Sequence, residues 1–177
     1  MKSYKLLNIY KMTKGKVYKL DKYEQKIVEL AAQQRHINKK VTGWDGYKTV
    51  NKQSKVELNI MGFGGEFIFC RELNLFPDFK IHNTSKKLGT DYYDAKWINM
   101  NVDVKVNSNP DHPLMIPEYA KSECHLFALF SCIYPRYRFE GFATNKMVFK
   151  KSNLRQTRVL SYVVEKESLL CINDLDI

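Results

Sequence analysis

Asp103 and Lys105 alternate with three valines in the run Val102-Asp103-Val104-Lys105-Val106. Side chains of a strand point to opposite faces in turn, so this spacing sets an acid and a base together on one face and the valines on the other. A surface strand with a solvated polar face explains such a pattern on its own, so the neighbouring acids matter. Asp94 lies nine residues upstream of Asp103. A turn near residues 98–100 would fold the chain back and set the two carboxylates almost opposite each other. Asp91, just beyond the start of the first strand, competes with Asp94 for that place. Adjacent carboxylates repel, and a hard divalent cation with oxygen ligands relieves the repulsion. Glu66 adds a third acid within the apolar run Gly65-Glu66-Phe67-Ile68, where it needs a metal or a cationic partner to be buried cheaply.

The elements that carry these residues are legible in outline. From Ser54, apolar side chains recur at Val56, Ile60, Phe63, Phe67 and Cys70, the spacing of a buried helical stripe. Gly62, Gly64 and Gly65 interrupt it, each costing about 1 kcal/mol against alanine in a helix interior, which predicts close packing or a kink. Residues 92–98 and 102–106 predict a hairpin with 99–101 as its turn. Residues 124–134 are apolar without alternation, as in a central strand buried on both faces, and periodicity leaves a buried helix as the alternative. Residues 139–143 follow as its antiparallel neighbour, with 135–138 as the turn. Further upstream, Asp21 and Glu24 have capping-box spacing, and Tyr23, Ile27, Leu30 and Ala31 share one helical face, which predicts a helix over 22–36. The polar stretch 38–54 reads as a loop. Helix, helix, hairpin, strand, strand is an α+β plan with a central mixed sheet.

A length of 177 residues suits one domain. Against 19 acids stand 29 lysines and arginines, for a net charge of +10, which makes a polyanion a natural partner. Six of the lysines fall in the first twenty residues, where no acid occurs. The expected organisation is a basic arm over 1–20 and a single domain over 21–177, with its core at about 54–145. No run is long enough to span a bilayer, and the first residues lack a signal-peptide pattern, so a soluble, cytoplasmic protein is expected. Cys70, Cys124, Cys132 and Cys171 form no C-x-x-C pair and read as reduced thiols, and the histidines share no ligand spacing with them, which argues against zinc. His125, inside an apolar run, is expected to be a core histidine and not a general base.

Taken in order, Glu66 after a Gly-Gly, Tyr93-Asp94-Ala95 entering a hairpin, Val102-Asp103-Val104-Lys105 leaving it, and an apolar strand beyond resemble the PD-(D/E)xK nuclease superfamily over about residues 54–145. The D-x-K tripeptide alone is common, and the ordered set carries the likeness. The sequence departs from the pattern at the first acid. No proline precedes Asp94 or Asp91, and Pro77-Asp78 lies far from the hairpin. The second acid therefore stays open between Asp94, which suits a tight hairpin, and Asp91.

The resemblance implies an α/β/α restriction-endonuclease-like core with the active site on the hairpin and helices flanking the sheet. It further implies a Mg²⁺- or Mn²⁺-dependent DNA endonuclease, of a kind found in phages and mobile elements, with Glu66, Asp94, Asp103 and Lys105 as the catalytic set. Asp94, Asp103 and the Val104 carbonyl would hold the metal, with Glu66 bound directly or through water. Between Leu126 and Val164, Glu140 is the only acid beside Arg136, Arg138, Lys146, Lys150, Lys151, Arg155 and Arg158, and these bases are expected to contact DNA phosphates. A homodimer would supply one site for each strand. Two other functions fit the same residues: a non-catalytic DNA-binding protein on this fold, and a basic module that binds a protein partner.

Overall fold

The computed structural model describes residues 12–41, 54–79, 93–120 and 122–175. The unalternating apolar run forms strand β5 (Leu126–Ile133), buried on both faces up to its last residue. It can be buried because it is central: β3 (Met100–Asn107) pairs with it in parallel and β6 (Arg136–Thr144) antiparallel. With β1 (Val17–Lys19) and β2 (Ala95–Trp97) they make a mixed five-stranded sheet in the order β1-β6-β5-β3-β2. The turn between β5 and β6 is tighter than the expected 135–138, since β6 already begins at Arg136. The β2–β3 connection is tighter too. Only Ile98 and Asn99 form it, with φ of 45° and 62°, the pair of positive values that a two-residue hairpin loop matched to strand twist requires.

Two helices cover one face of this sheet. Helix α1 (Lys22–Val41) opens with the expected capping box: the Glu24 amide donates to Asp21 Oδ1 and the Asp21 amide to Glu24 Oε2, both at 2.8 Å. It runs past residue 36 into the stretch expected as a loop. The face expected to be buried is a correction. Val28 and Ala32 are buried and Ala31 packs partly buried against the core, whereas Ile27 and Leu30 are exposed and Tyr23 is 83% exposed. Side chains short enough for a close approach to α2 took the inner face, so size outweighed hydrophobicity.

Helix α2 (Lys55–Glu72) is capped by Ser54, with Glu57 closing a second capping box. Its glycines divide by function. A β-carbon on Gly64 would overlap the Tyr137 hydroxyl and lie 2.7 Å from Cζ, and one on Gly65 would overlap Val106 Cγ2, whereas Gly62 has nothing within 4 Å. Gly64 and Gly65 thus let the helix backbone rest on β3 and β6, and their helix penalty is the cost of that contact. Urea unfolding of two variants should separate the cases. Gly62→Ala should stabilise by up to about 1 kcal/mol. Gly64→Ala should destabilise by about 3 kcal/mol, as overpacking in a close-packed core does.

The other face is not covered as an α/β/α core requires. Strands β4 (Leu114–Pro117), β7 (Leu154–Gln156) and β8 (Leu160–Val164) form a three-stranded sheet in the order β4-β8-β7. With the short helix α3 (Asn145–Val148) it packs on Phe127, Leu129 and Ala143 in a second apolar cluster. After β6, α3 is a single turn and two short strands follow. The architecture is α+β, with α1 and α2 over one face and a small sheet over the other.

Residues 12–20 also belong to the fold. Met12, Tyr18 and Leu20 are buried, and β1 pairs with β6, so a basic arm reaching residue 20 is a correction; residues 1–11 lie outside the described residues. Glu140, the lone acid of the basic segment, is buried as well. Ser131 Oγ donates to its Oε1 at 2.6 Å, and Lys166 Nζ donates to both at 3.0 and 3.1 Å and to the Pro110 carbonyl. This buried, hydrogen-bonded ion pair ties the crossover loop and the C-terminal segment to the sheet. Among the described residues no helix is long and apolar enough to cross a membrane.

Candidate active site

The β2–β3 hairpin positions Asp94, Asp103 and Lys105, and α2 positions Glu66. The valines of β3 pack toward α2, so Asp103 and Lys105 face away from it. Lys105 Nζ lies 2.7 Å from Asp103 Oδ1, with 38% and 16% of their side chains exposed. Asp94 sits at the sheet edge, one residue before β2 begins. Its amide donates to the Val102 carbonyl at 2.9 Å, and its Oδ2 accepts the Val104 amide at 2.6 Å. The carboxylate thus takes a β3 donor that a longer β2 would have paired. Glu66 comes from α2, with its Oε2 2.8 Å from Arg35 Nη1.

Electrostatics bind these groups into one unit. Burial first, then Glu66, then Asp103 raise the Asp94 carboxyl well above the usual carboxylate range, and Lys105 and the Val104 amide offset only part of this. Burial pushes the Lys105 ammonium down, but Asp103 and Asp94 together outweigh it and hold it above the ordinary lysine value. The Cys70 thiol is pushed up to about 12 by burial and then by Glu66, Asp94 and Asp78. A cluster with more acid than base therefore surrounds Asp94, and a hard cation is the ligand such all-oxygen donors suit. Among the described residues, however, no three His, Cys, Asp or Glu side chains stand together at metal-ligand spacing. Glu66 has turned an oxygen to Arg35 and Asp103 one to Lys105. Asp91 lies outside the described residues, so only Asp94 can be placed.

Sequence reasoning missed two participants. Arg35 is the partner Glu66 required; its guanidinium also donates to the Asp78 carbonyl at 2.6 Å and lies 4.4 Å over the centre of the Phe63 ring. Pro77-Asp78, set aside as too far along the chain, is thereby tied to the cluster through its main chain. An unpaired acid in an apolar stretch was the available signal, but it did not say that the cation would come from another helix.

The remaining expectations divide. His125 is exposed, not buried. Its Nδ1 accepts the Asn101 amide at 3.0 Å, and its main chain bonds Asn101 and Asn145, so it closes the entry to β5. Trp97 is buried and stacks on Phe142 at 5.9 Å, and Tyr93 beside Asp94 is exposed. The four cysteines are free thiols, three of them buried. All seven bases are exposed, but they do not form one patch. Arg136 and Arg138 start β6, whereas Lys146, Lys150 and Lys151 follow its end, roughly 30 Å away at strand rise. Arg155 pairs with Glu165 at 2.7 Å, and Arg158 lies between β7 and β8. In β3–β5–β6 register, Asp103 lies beside Phe127 and Ala143, which puts Lys146 and its neighbours at the acid cluster's end of the sheet. No family model, curated protein or solved structure matches this chain.

Proposed function

We propose that this protein is a divalent-metal-dependent DNA endonuclease built on a PD-(D/E)xK-like core. The observation that carries the proposal is Asp94 at the hairpin entry: a half-buried carboxyl bonded through Oδ2 to the Val104 amide, pressed by Glu66 and Asp103, with Lys105 paired to Asp103. Two further acids pressing on one desolvated carboxyl are uncommon in a purely structural ion-pair network, whereas phosphodiester hydrolysis calls for such pressure. The donors fit Mg²⁺ or Mn²⁺ in type, being carboxylates and the Val104 carbonyl. Asp94 and Asp103 would hold the ion, with Glu66 in reach directly or through water. When bound, it would make its water more acidic and neutralise charge on the scissile phosphate.

The chain's own residues do the rest. Lys105 stays charged at neutral pH, since Asp103 and Asp94 hold its ammonium above the usual value. It is therefore no general base. It acts as a compact point charge on the phosphate oxygens and orients the attacking water. Asp103, bonded to Lys105, fixes where that charge sits. Lys146, Lys150 and Lys151 would take flanking phosphates. Two copies of the chain would cut both strands.

One observation favours a second function, DNA binding without cleavage: no three metal-binding side chains are drawn together among the described residues. Supercoiled plasmid incubated with the protein in Mg²⁺ and in EDTA decides between them. The nuclease gives nicked or linear product in Mg²⁺ alone. A mobility shift without product in any divalent metal would favour the binding protein.

A further inference from the structure

Just past the end of α2, the run Leu75-Phe76-Pro77-Asp78-Phe79 stands aromatic side chains in water: Phe76 is 86% exposed and Phe79 39%. A lone exposed ring needs no explanation, but these belong to a series. Phe76 meets Phe79 edge to face at 5.7 Å, Phe79 meets Phe63 in the same way at 5.6 Å, and the Arg35 guanidinium lies 4.4 Å over the Phe63 ring. The series thus runs from solvent down to the partner of Glu66. Its main chain is held at both ends. The Leu75 amide donates to the Cys70 carbonyl at 2.7 Å while the Leu75 side chain packs on the core, and Arg35 donates to the Asp78 carbonyl at 2.6 Å. Rings on a fixed segment lose little freedom when a ligand covers them. The segment also lies on the candidate site's side of the molecule, since Glu66, Asp94 and Asp78 all press on the Cys70 thiol.

Resting on the nuclease proposal, we infer that Phe76 and Phe79 form a stacking platform for the bases of single-stranded DNA, so that the protein takes substrates with unpaired bases beside the cleavage point. Every base offers a π-face to an aromatic ring, but in a duplex the neighbouring bases cover it and the grooves show edges alone. A ring standing in water therefore finds its partner in a base freed from pairing. The platform is uncharged, as contact with bases requires, and the phosphates of the strand fall to the chain's excess of 29 lysines and arginines over 19 acids. That excess favours a nucleic acid over an apolar peptide as the occupant, because it draws a polyanion to the surface that carries the rings.

Fluorescence anisotropy in EDTA, with a labelled thymidine oligodeoxynucleotide and a duplex of equal length, tests this apart from cleavage. Wild type should bind the single strand more tightly than the duplex. Phe76→Ala and Phe76→Leu should each weaken single-strand binding about tenfold, as the loss of one base stack does, and leave duplex binding within about twofold. Leucine keeps apolar surface without a ring face, so its loss separates stacking from a general apolar contact. Phe76→Trp should bind at least as tightly as wild type, with its indole emission quenched by the oligonucleotide. At 86% exposure, Phe76 can be replaced without opening the core. Single-strand affinity unchanged in Phe76→Ala, equal losses on strand and duplex, or tighter binding of the corresponding uridine oligoribonucleotide overturns the inference, and plasmid cleavage in Mg²⁺ by wild type then leaves the nuclease proposal standing. Wild-type protein that binds neither strand nor duplex overturns both.

Discussion

Lys105→Met should lower plasmid cleavage in Mg²⁺ by roughly 10²–10³-fold, the usual loss when one preorganised charge is removed from a developing oxyanion. The loss should fall on kcat, with KM for DNA little changed, because Lys105 lies beside Asp103 and not among the outer bases. Metal affinity should hold or rise, since a cation next to the acids has gone. Lys105→Arg should not rescue: a planar fork cannot take the place of a compact ammonium held 2.7 Å from Asp103. Stability should fall only modestly, because over a third of the Lys105 side chain is in water and such pairs contribute little. A rate loss with intact folding, intact DNA binding and undiminished Mn²⁺ binding is the signature of a residue acting on the reacting phosphate.

Asp94→Asn should abolish cleavage and yet stabilise the metal-free protein at neutral pH. The Asp94 carboxyl is raised well above the usual range by burial, Glu66 and Asp103. A carboxyl raised in the folded state adds stability that is fully present below the ordinary carboxylate pKa, near 4, and is lost as pH rises through the raised value. As pH rises above the ordinary carboxylate range the wild-type protein progressively loses that contribution, while the amide has no proton to lose. An asparagine oxygen can still accept the Val104 amide that Asp94 accepts at 2.6 Å. Thermal unfolding in EDTA should therefore show a higher Tm for Asp94→Asn at pH 7 and a gap that closes toward pH 4. A lower Tm at pH 7 would mean that Asp94 is a structural anion and not a strained functional one.

What could be read from sequence was whatever local chemistry decides. The capping box at Asp21 marks the start of α1, because a side chain and a backbone amide three residues apart settle it, whereas the matching box at Ser54 and Glu57 went unread. The apolar run of β5 shows its burial on both faces directly. Gly64 and Gly65 signalled the close approach of α2 to the sheet, and Asp94 came to the Asp103 strand as the hairpin spacing required. Long-range choices were not legible. Tyr23, Ile27 and Leu30 form the more hydrophobic stripe of α1, yet packing against α2 selected the smaller Val28 and Ala32. The small sheet that replaces a second helical layer depends on pairing β4 with β8, strands far apart in the chain. Arg35 meets Glu66 across thirty-one residues, and no spacing rule reaches that far. The basic residues, clustered in sequence, are split by the length of β6.

The most direct test of the account compares wild type and Asp103→Asn on supercoiled plasmid, side by side, in Mg²⁺ and in EDTA. Asp103→Asn keeps the shape of the side chain and removes the charge that pairs with Lys105 and that the proposed metal would use. Wild type should convert the plasmid to nicked or linear forms in Mg²⁺ only, and Asp103→Asn should leave it supercoiled while still shifting it on a gel. Cleavage by Asp103→Asn at the wild-type rate, or cleavage by wild type in EDTA, would contradict the account.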